Sequence, residues 1–211
     1  MTMRSISYKS YDYCSFTNLF RENIMAYEKA DQRVRYTKMV IKNSLLELMR
    51  ERPISKVTVT DICRKADINR NTFYSHYANQ FELLSSIEDE LYEDIRQVAG
   101  RTMNLEGSGK LSYEICKYIK ANSNICKVLF SENGNKDLLK RILYISHDFN
   151  IEKWKNEAKQ IDQKLFDDWY TFTAYGSIAI IEKWVNSGMK ESPGKIAAFI
   201  DKATEAVPRN Q

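Results

Sequence analysis

Arg70 and Asn71 stand side by side in the stretch Thr58 to Leu84, TVTDICRKADINRNTFYSHYANQFELL. A guanidinium fork offers two donors that match guanine O6 and N7, and a primary amide offers the donor and acceptor that match adenine. Thr58, Thr60, Thr72, Tyr74 and His76 flank them with hydroxyl and imidazole groups suited to phosphate oxygens, directly or by orienting helix N-termini. This is the chemistry of binding rather than of bond breaking. It requires Arg70 and Asn71 to sit on an element narrow enough to enter a groove.

The spacing around them predicts such an element. Thr58 with Asp61 three residues on is a capping pair, so a helix starts near Val59 and turns Val59, Ile62 and Ala66 inward, with Arg64 and Lys65 outward. Asp67-Ile68-Asn69 breaks the pattern, because Asp tolerates a left-handed backbone and Asn69 can cap a new helix. That second helix, from Arg70 to about His76, buries Phe73 and Tyr77 and exposes Arg70, Asn71, Thr72, Tyr74 and Ser75. Two short helices joined by so tight a turn cannot lie antiparallel, so the second crosses the first as a probe. Asn79 with Glu82 forms another capping box and opens a longer helix.

These residues resemble the N-terminal domain of the TetR family of bacterial transcriptional regulators. The resemblance runs through Thr58, Val59, Ile62, Cys63, Ala66, Asp67, Ile68, Asn69, Thr72, Phe73, Tyr74, His76, Tyr77, Asn79 and Leu83, and Thr-Phe-Tyr-x-His is its most specific part. Asp67 stands where the family usually has Gly, Asn71 often corresponds to a small residue, and Gln80 replaces a basic residue, which leaves one of the family's phosphate contacts without its cation. The resemblance implies an all-α fold of about nine helices, a three-helix DNA-binding domain followed by a helical ligand-binding and dimerisation domain. It also implies a homodimer on a near-palindromic operator.

Charge is distributed to match. Residues 29–80 hold 11 Lys or Arg against 5 acids, whereas residues 81–211 hold 18 against 20, so the positive field is confined to the segment with the motif. With 43% hydrophobic residues, only 7 Gly and only 3 Pro in 211 residues, a helical core is well supplied. Cys14, Cys63, Cys116 and Cys126 form no CxxC pair, which speaks against a disulfide scaffold and for a reducing compartment. No phosphate loop, dinucleotide fingerprint or HExxH helix is present, and His76 and His147 lie far apart. Cys116, Cys126 and His147 match no common zinc spacing, so neither enzyme activity, metal nor cofactor is expected. The longest uncharged run, Trp169 to Ile181, is too short to span a bilayer, and there is no leader pattern at the N-terminus; a soluble cytoplasmic protein without membrane contact is expected.

The chain divides into three parts. Residues 1–28 carry Tyr8, Tyr11, Tyr13, Phe16 and Phe20 but no helical cap. They are expected to be a disordered extension, with Met25 opening the kind of sequence such regulators start from; the alternative is an ordered arm on the first helix. Residues 29–80 form the helix-turn-helix domain, backed by a helix from Asp31 to Arg50 with Val34, Thr37, Ile41, Leu45 and Leu48 in register. Residues 81–211 form the regulatory and dimerisation domain. There the helix opening near Gln80 runs through Phe81, Leu84, Ile87, Leu91, Ile95 and Val98 to end before Gly100, as a lever between domains. A loop spans Met103 to Lys110, and helices are expected at about 111–121, 122–131 and 135–160, the last with a break near His147.

A helix from Asp167 to Ser187 is apolar on nearly all sides and therefore expected to be buried on all sides, one of them against a second copy. Gly188 caps it, and Ser192-Pro193 starts a last helix to about Ala206. The dimer face is expected to use Tyr175, Ile178, Ile181, Trp184, Val185, Ile196, Phe199 and Ile200 in a four-helix bundle. An effector pocket is expected from Tyr113, Cys116, Phe130, Tyr144, Trp169, Phe172 and Tyr175, its occupant a small molecule or a protein. The segments Ile119 to Asn122 and Leu129 to Gly134 resemble the C-terminal subtype found in the dihydroxyacetone kinase activator, which includes activators answering to a partner protein. The expected function is a repressor released by an effector, the rivals being such an activator and a sequence-independent architectural DNA binder.

Overall fold

A computed structural model describes the backbone of residues 13–105, 110–134, 138, 140–142, 145 and 163–204, with side chains from Asp31 onward except at 104, 105, 163 and 166. Among these residues there are eight α-helices, one 3-10 turn and no strand. They are α1 (Tyr13–Met49), the turn Ile54–Lys56, α2 (Val59–Ala66), α3 (Arg70–Tyr74), α4 (Gln80–Leu105), α5 (Leu111–Ala121), α6 (Ser123–Leu129), α7 (Gln163–Asn186) and α8 (Pro193–Thr204).

α1 begins at Tyr13, well before the expected Asp31. No Gly or Pro interrupts residues 13–30, so a helix nucleated by the packed C-terminal half has nothing to stop its propagation. Its buried stripe is shorter than expected. Ile41, Leu45 and Met49 are fully buried, whereas Val34 is 41% exposed. Each fully buried aliphatic side chain of this kind stabilises by about 1.5–3 kcal/mol.

α2 and α4 pack on α1, and α3 packs on α2, enclosing Ile62, Phe73 and Leu83 with the α1 stripe. α4 does not stop at Gly100 but runs to Leu105, beyond the expected loop start at Met103. A single helical Gly costs only about 1 kcal/mol, and buried Ala99 and Thr102 carry the inner face past it. In the second half α5 packs on α4 and α8, and α7 packs on α6 and α8, around Cys116, Ile119, Cys126, Leu129, Trp184 and Ile200. Most of the helix expected over 135–160, with its break near His147, lies outside the described residues.

α7 closes with a Schellman motif. Met189 N–H donates to Trp184 O at 2.9 Å and Gly188 N–H to Val185 O at 3.1 Å, with Gly188 at φ +90°. Ser192 Oγ accepts from Lys195 N–H at 3.3 Å and starts α8 at Pro193. Within one chain α7 is not buried on all sides. Tyr170, Ala174, Trp184 and Val185 face inward, while Phe172 is 78% and Tyr175 50% exposed on the other side.

The turn after α6 locks the two halves together. Asn133 Nδ2 donates to the carbonyl of Met49, the last residue of α1, at 3.1 Å. Gly134 comes next because a Cβ there would lie 2.0 Å from the Leu129 carbonyl oxygen. That contact gives the Leu129 to Gly134 segment a structural reason.

Candidate nucleic-acid interface

Two caps set the geometry of the site. Thr58 Oγ1 accepts from Asp61 N–H at 3.2 Å, and an Asp61 carboxylate oxygen accepts from Thr58 N–H at 3.2 Å and from the Thr58 hydroxyl at 2.8 Å. Arg52 reaches the same carboxylate at 3.0 Å, tying the start of α2 to the chain leaving α1. The Thr58 hydroxyl and backbone hydrogen bonds, with Arg52 and Arg64 behind them, hold the Asp61 carboxyl below its ordinary value. α2 ends at Asp67 in the left-handed region, φ 51° and ψ 48°, with Asp67 and Ile68 N–H both donating to Cys63 O.

Asn69 Oδ1 then accepts from Thr72 N–H at 2.7 Å and from the Thr72 hydroxyl at 3.1 Å, starting α3. This helix is shorter than expected, ending at Tyr74 rather than about His76. Phe73 is fully buried and stands edge-on to Tyr74 with ring centroids 5.7 Å apart. Asn79 Oδ1 accepts from Phe81 and Glu82 N–H, both at 2.9 Å, but the Glu82 carboxylate accepts from Ala78 N–H rather than from Asn79. Phe81, expected on the inward stripe of α4, is 53% exposed.

Of the seven residues expected to touch DNA, Thr60 lies on α2, Arg70, Asn71, Thr72 and Tyr74 lie on α3, Thr58 caps α2 and His76 follows α3. Arg70, Asn71 and Tyr74 are exposed, and Thr60, Thr72 and His76 are half-buried beside them. Arg70 Nη2 donates to Thr60 Oγ1 at 2.7 Å, so the guanidinium lies across the first turn of α2. Thr58 and Thr72 spend their hydroxyls on caps, which suits them to orienting the helices more than to reaching outward. Two cations outside the expected set flank the cluster: Lys56, two residues before the α2 cap, and Arg64, exposed on α2. In the sequence neither differs from any solvated basic residue.

The expected effector residues are not brought together. Cys116 and Phe130 are buried in the core, Tyr113 is partly exposed, Trp169 is half-buried, and Phe172 and Tyr175 point away on the outer face of α7. Tyr144 lies outside the described residues. Burial pushes the Cys116 and Cys126 thiols up to about 12, so both stay protonated. The expected dimer residues divide as well. Tyr175 and Phe199 are exposed and Ile178, Ile181 and Ile196 half-buried, but Trp184, Val185 and Ile200 are already covered by the chain's own core. Among the described residues no three His, Cys, Asp or Glu side chains gather as a metal site.

A cleft of about 440 Å³ lies elsewhere, between α1 and the helices α4 to α6. None of the seven expected effector residues lines it. No described helix is long and apolar enough to cross a membrane.

Comparison with known proteins places this geometry. A model of bacterial regulatory proteins of the tetR family matches residues 43–87, and a model of a transcriptional regulator C-terminal region matches residues 109–206. Over 61 residues the chain is 38% identical to the uncharacterized HTH-type transcriptional regulator YxbF of Bacillus subtilis, covering 28% of this chain and 16% of that protein. Over 131 residues it is 26% identical to the HTH-type dhaKLM operon transcriptional activator DhaS of Lactococcus lactis, covering 62% of each. The chain thus spans less than two thirds of the length of either curated relative. The crystal structure of a TetR transcriptional regulator from Streptococcus agalactiae superposes with a TM-score of 0.61 at 21% identity, over 84% of this chain and 98% of that one, which speaks for the fold. With the two family models together spanning both halves, the chain belongs to the tetR family of bacterial regulatory proteins.

Proposed function

We propose that two copies of this chain bind a near-palindromic operator in the cytoplasm, each inserting α3 into a major groove, and that the dimer represses transcription until an effector releases it. The observation that carries this reading is α3 itself: Phe73 anchors it in the core while Arg70, Asn71 and Tyr74 are exposed on its outer side. Arg70 and Asn71 read base edges, and Thr58, Thr60, Thr72, Tyr74 and His76 hold or orient toward phosphates. The dimer forms through the outer face of α7 with α8, where Phe172, Tyr175 and Phe199 lie exposed. The domains are the helix-turn-helix at 29–80 and the regulatory unit at 81–211.

The test is titration of labelled DNA from around the protein's own gene, with random DNA as competitor. A regulator prefers its operator by at least about a thousandfold; equal affinity for any duplex would replace this reading by an architectural one. A second reading, transcriptional activation, is favoured by the 26% identity to an operon activator. A promoter fusion carrying the operator decides between them: deletion of the regulator raises output under repression and lowers it under activation.

A further inference from the structure

We infer that the cleft between α1 and the helices α4 to α6 is an effector site for a small organic anion with a short apolar body, a deepening that rests on the operator-binding reading above. α1 belongs to the DNA-binding half and contributes Arg35, Lys38 and Lys42 to the cleft, at spacings of three and four that put them on one helix face. The opposite wall, from α4, carries Glu90 and Asp94. Both acids are already engaged: Glu90 pairs with Lys42, and Asp94 accepts the Tyr118 hydroxyl at 2.7 Å. Burial and the Asp94 carboxylate push the Tyr118 hydroxyl up, so it remains a neutral donor.

On the cationic side Arg35 reaches Asp31 on its own helix. Lys38 has no carboxylate partner among the described residues. The lining therefore holds three cations against two committed anions; among the described residues Lys38 is the cation left open to an oxyanion, and Lys42, held by Glu90, stands one helical turn away. Between the charged walls lies an apolar floor of Leu46, Ile87, Leu91 and Ile125. Together they fit a carboxylate or phosphate head between Lys38 and Lys42 and a short chain against the floor. A volume of about 440 Å³ is that of a small-ligand site.

Occupancy of the cleft acts on the whole chain. Lys42–Glu90 ties the DNA-binding half to the lever α4, and an anion that takes Lys42 competes with Glu90 for it. The ligand binds the loosened arrangement more tightly than the tied one, which shifts the orientation of α1 relative to α4 and with it the probe helix.

The test is NMR titration of the ¹⁵N-labelled full chain with hexanoate, hexyl phosphate and hexylamine at constant ionic strength, without DNA. Shifts at the amides of Lys38, Lys42, Leu91 and Ile125 with either anion and none with the amine are expected, and the more effective anion identifies the head group. Lys38→Gln, at an exposed side chain whose loss leaves the fold intact, should weaken that anion at least about tenfold. Shifts confined to other residues, equal response to the amine, or unchanged affinity in Lys38→Gln would overturn the assignment. Since the titration contains no DNA, a chain that binds operator but neither anion defeats the cleft alone. A chain that binds an anion but no operator defeats the operator reading instead.

Discussion

Arg70 is already held within the lone chain, because one of its guanidinium nitrogens donates to the Thr60 hydroxyl. A neutral hydroxyl is a weak enough partner to be given up, and holding the long side chain across α2 reduces the rotamer entropy lost on binding. Arg70→Ala should cost about 1–3 kcal/mol of operator affinity and relax preference at one base pair per half-site; equal loss on operator and random DNA would assign Arg70 to the backbone. Asp61 makes a different kind of prediction. Its folded-state value lies below the ordinary 3.8, so its contribution to stability is present above about pH 4 and is lost as pH falls through the lowered value. Asp61→Asn should therefore flatten the acid limb of the unfolding curve, by a small amount because the carboxylate is near solvent, and an acid limb identical to that of the parent chain would discount the cap. The caps are legible in the sequence because their chemistry spans three residues. The Arg70–Thr60 contact is not, since it depends on how α3 crosses α2.

At the scale of elements, sequence reads well where helices are started by side chains and reads poorly where they stop for lack of a breaker. α2, α3 and α8 start where Thr58, Asn69 and Ser192 place them. α1 and α4 overrun their expected limits because nothing in residues 13–30 forbids helix, and because one glycine inside a packed helix costs less than the burial beyond it gains. The turn after α6 shows an element held by two unlike devices: Asn133 bonds the end of α1, and Gly134 lets the chain pass within contact of the Leu129 carbonyl. Gly134→Ala should destabilise the fold by about 1–3 kcal/mol, since backbone rather than a flexible side chain must move. A melting curve unchanged from the parent would show that the turn can open without cost.

For the whole molecule the decisive surface is the outer side of α7. Both sides of this helix are apolar, so its hydrophobic pattern alone does not say which side meets the chain's own core. Trp184 and Val185 are the inward pair, and Phe172, expected in a pocket, joins Tyr175 on the free side. Because those two side chains are already in solvent, Phe172→Glu with Tyr175→Glu should alter protomer stability by no more than about 0.5 kcal/mol each. In a dimer the same charges would face their copies across a desolvated interface, where like charges cannot be accommodated. Sedimentation should then show monomers that remain fully helical, and a dimer of unchanged affinity would move the interface elsewhere. The loss should also be visible on DNA. If the pair neutralises about eight phosphates, log affinity falls against log salt with a slope of roughly −7, and a lone protomer, reaching half of them, should show a slope near roughly −3.5.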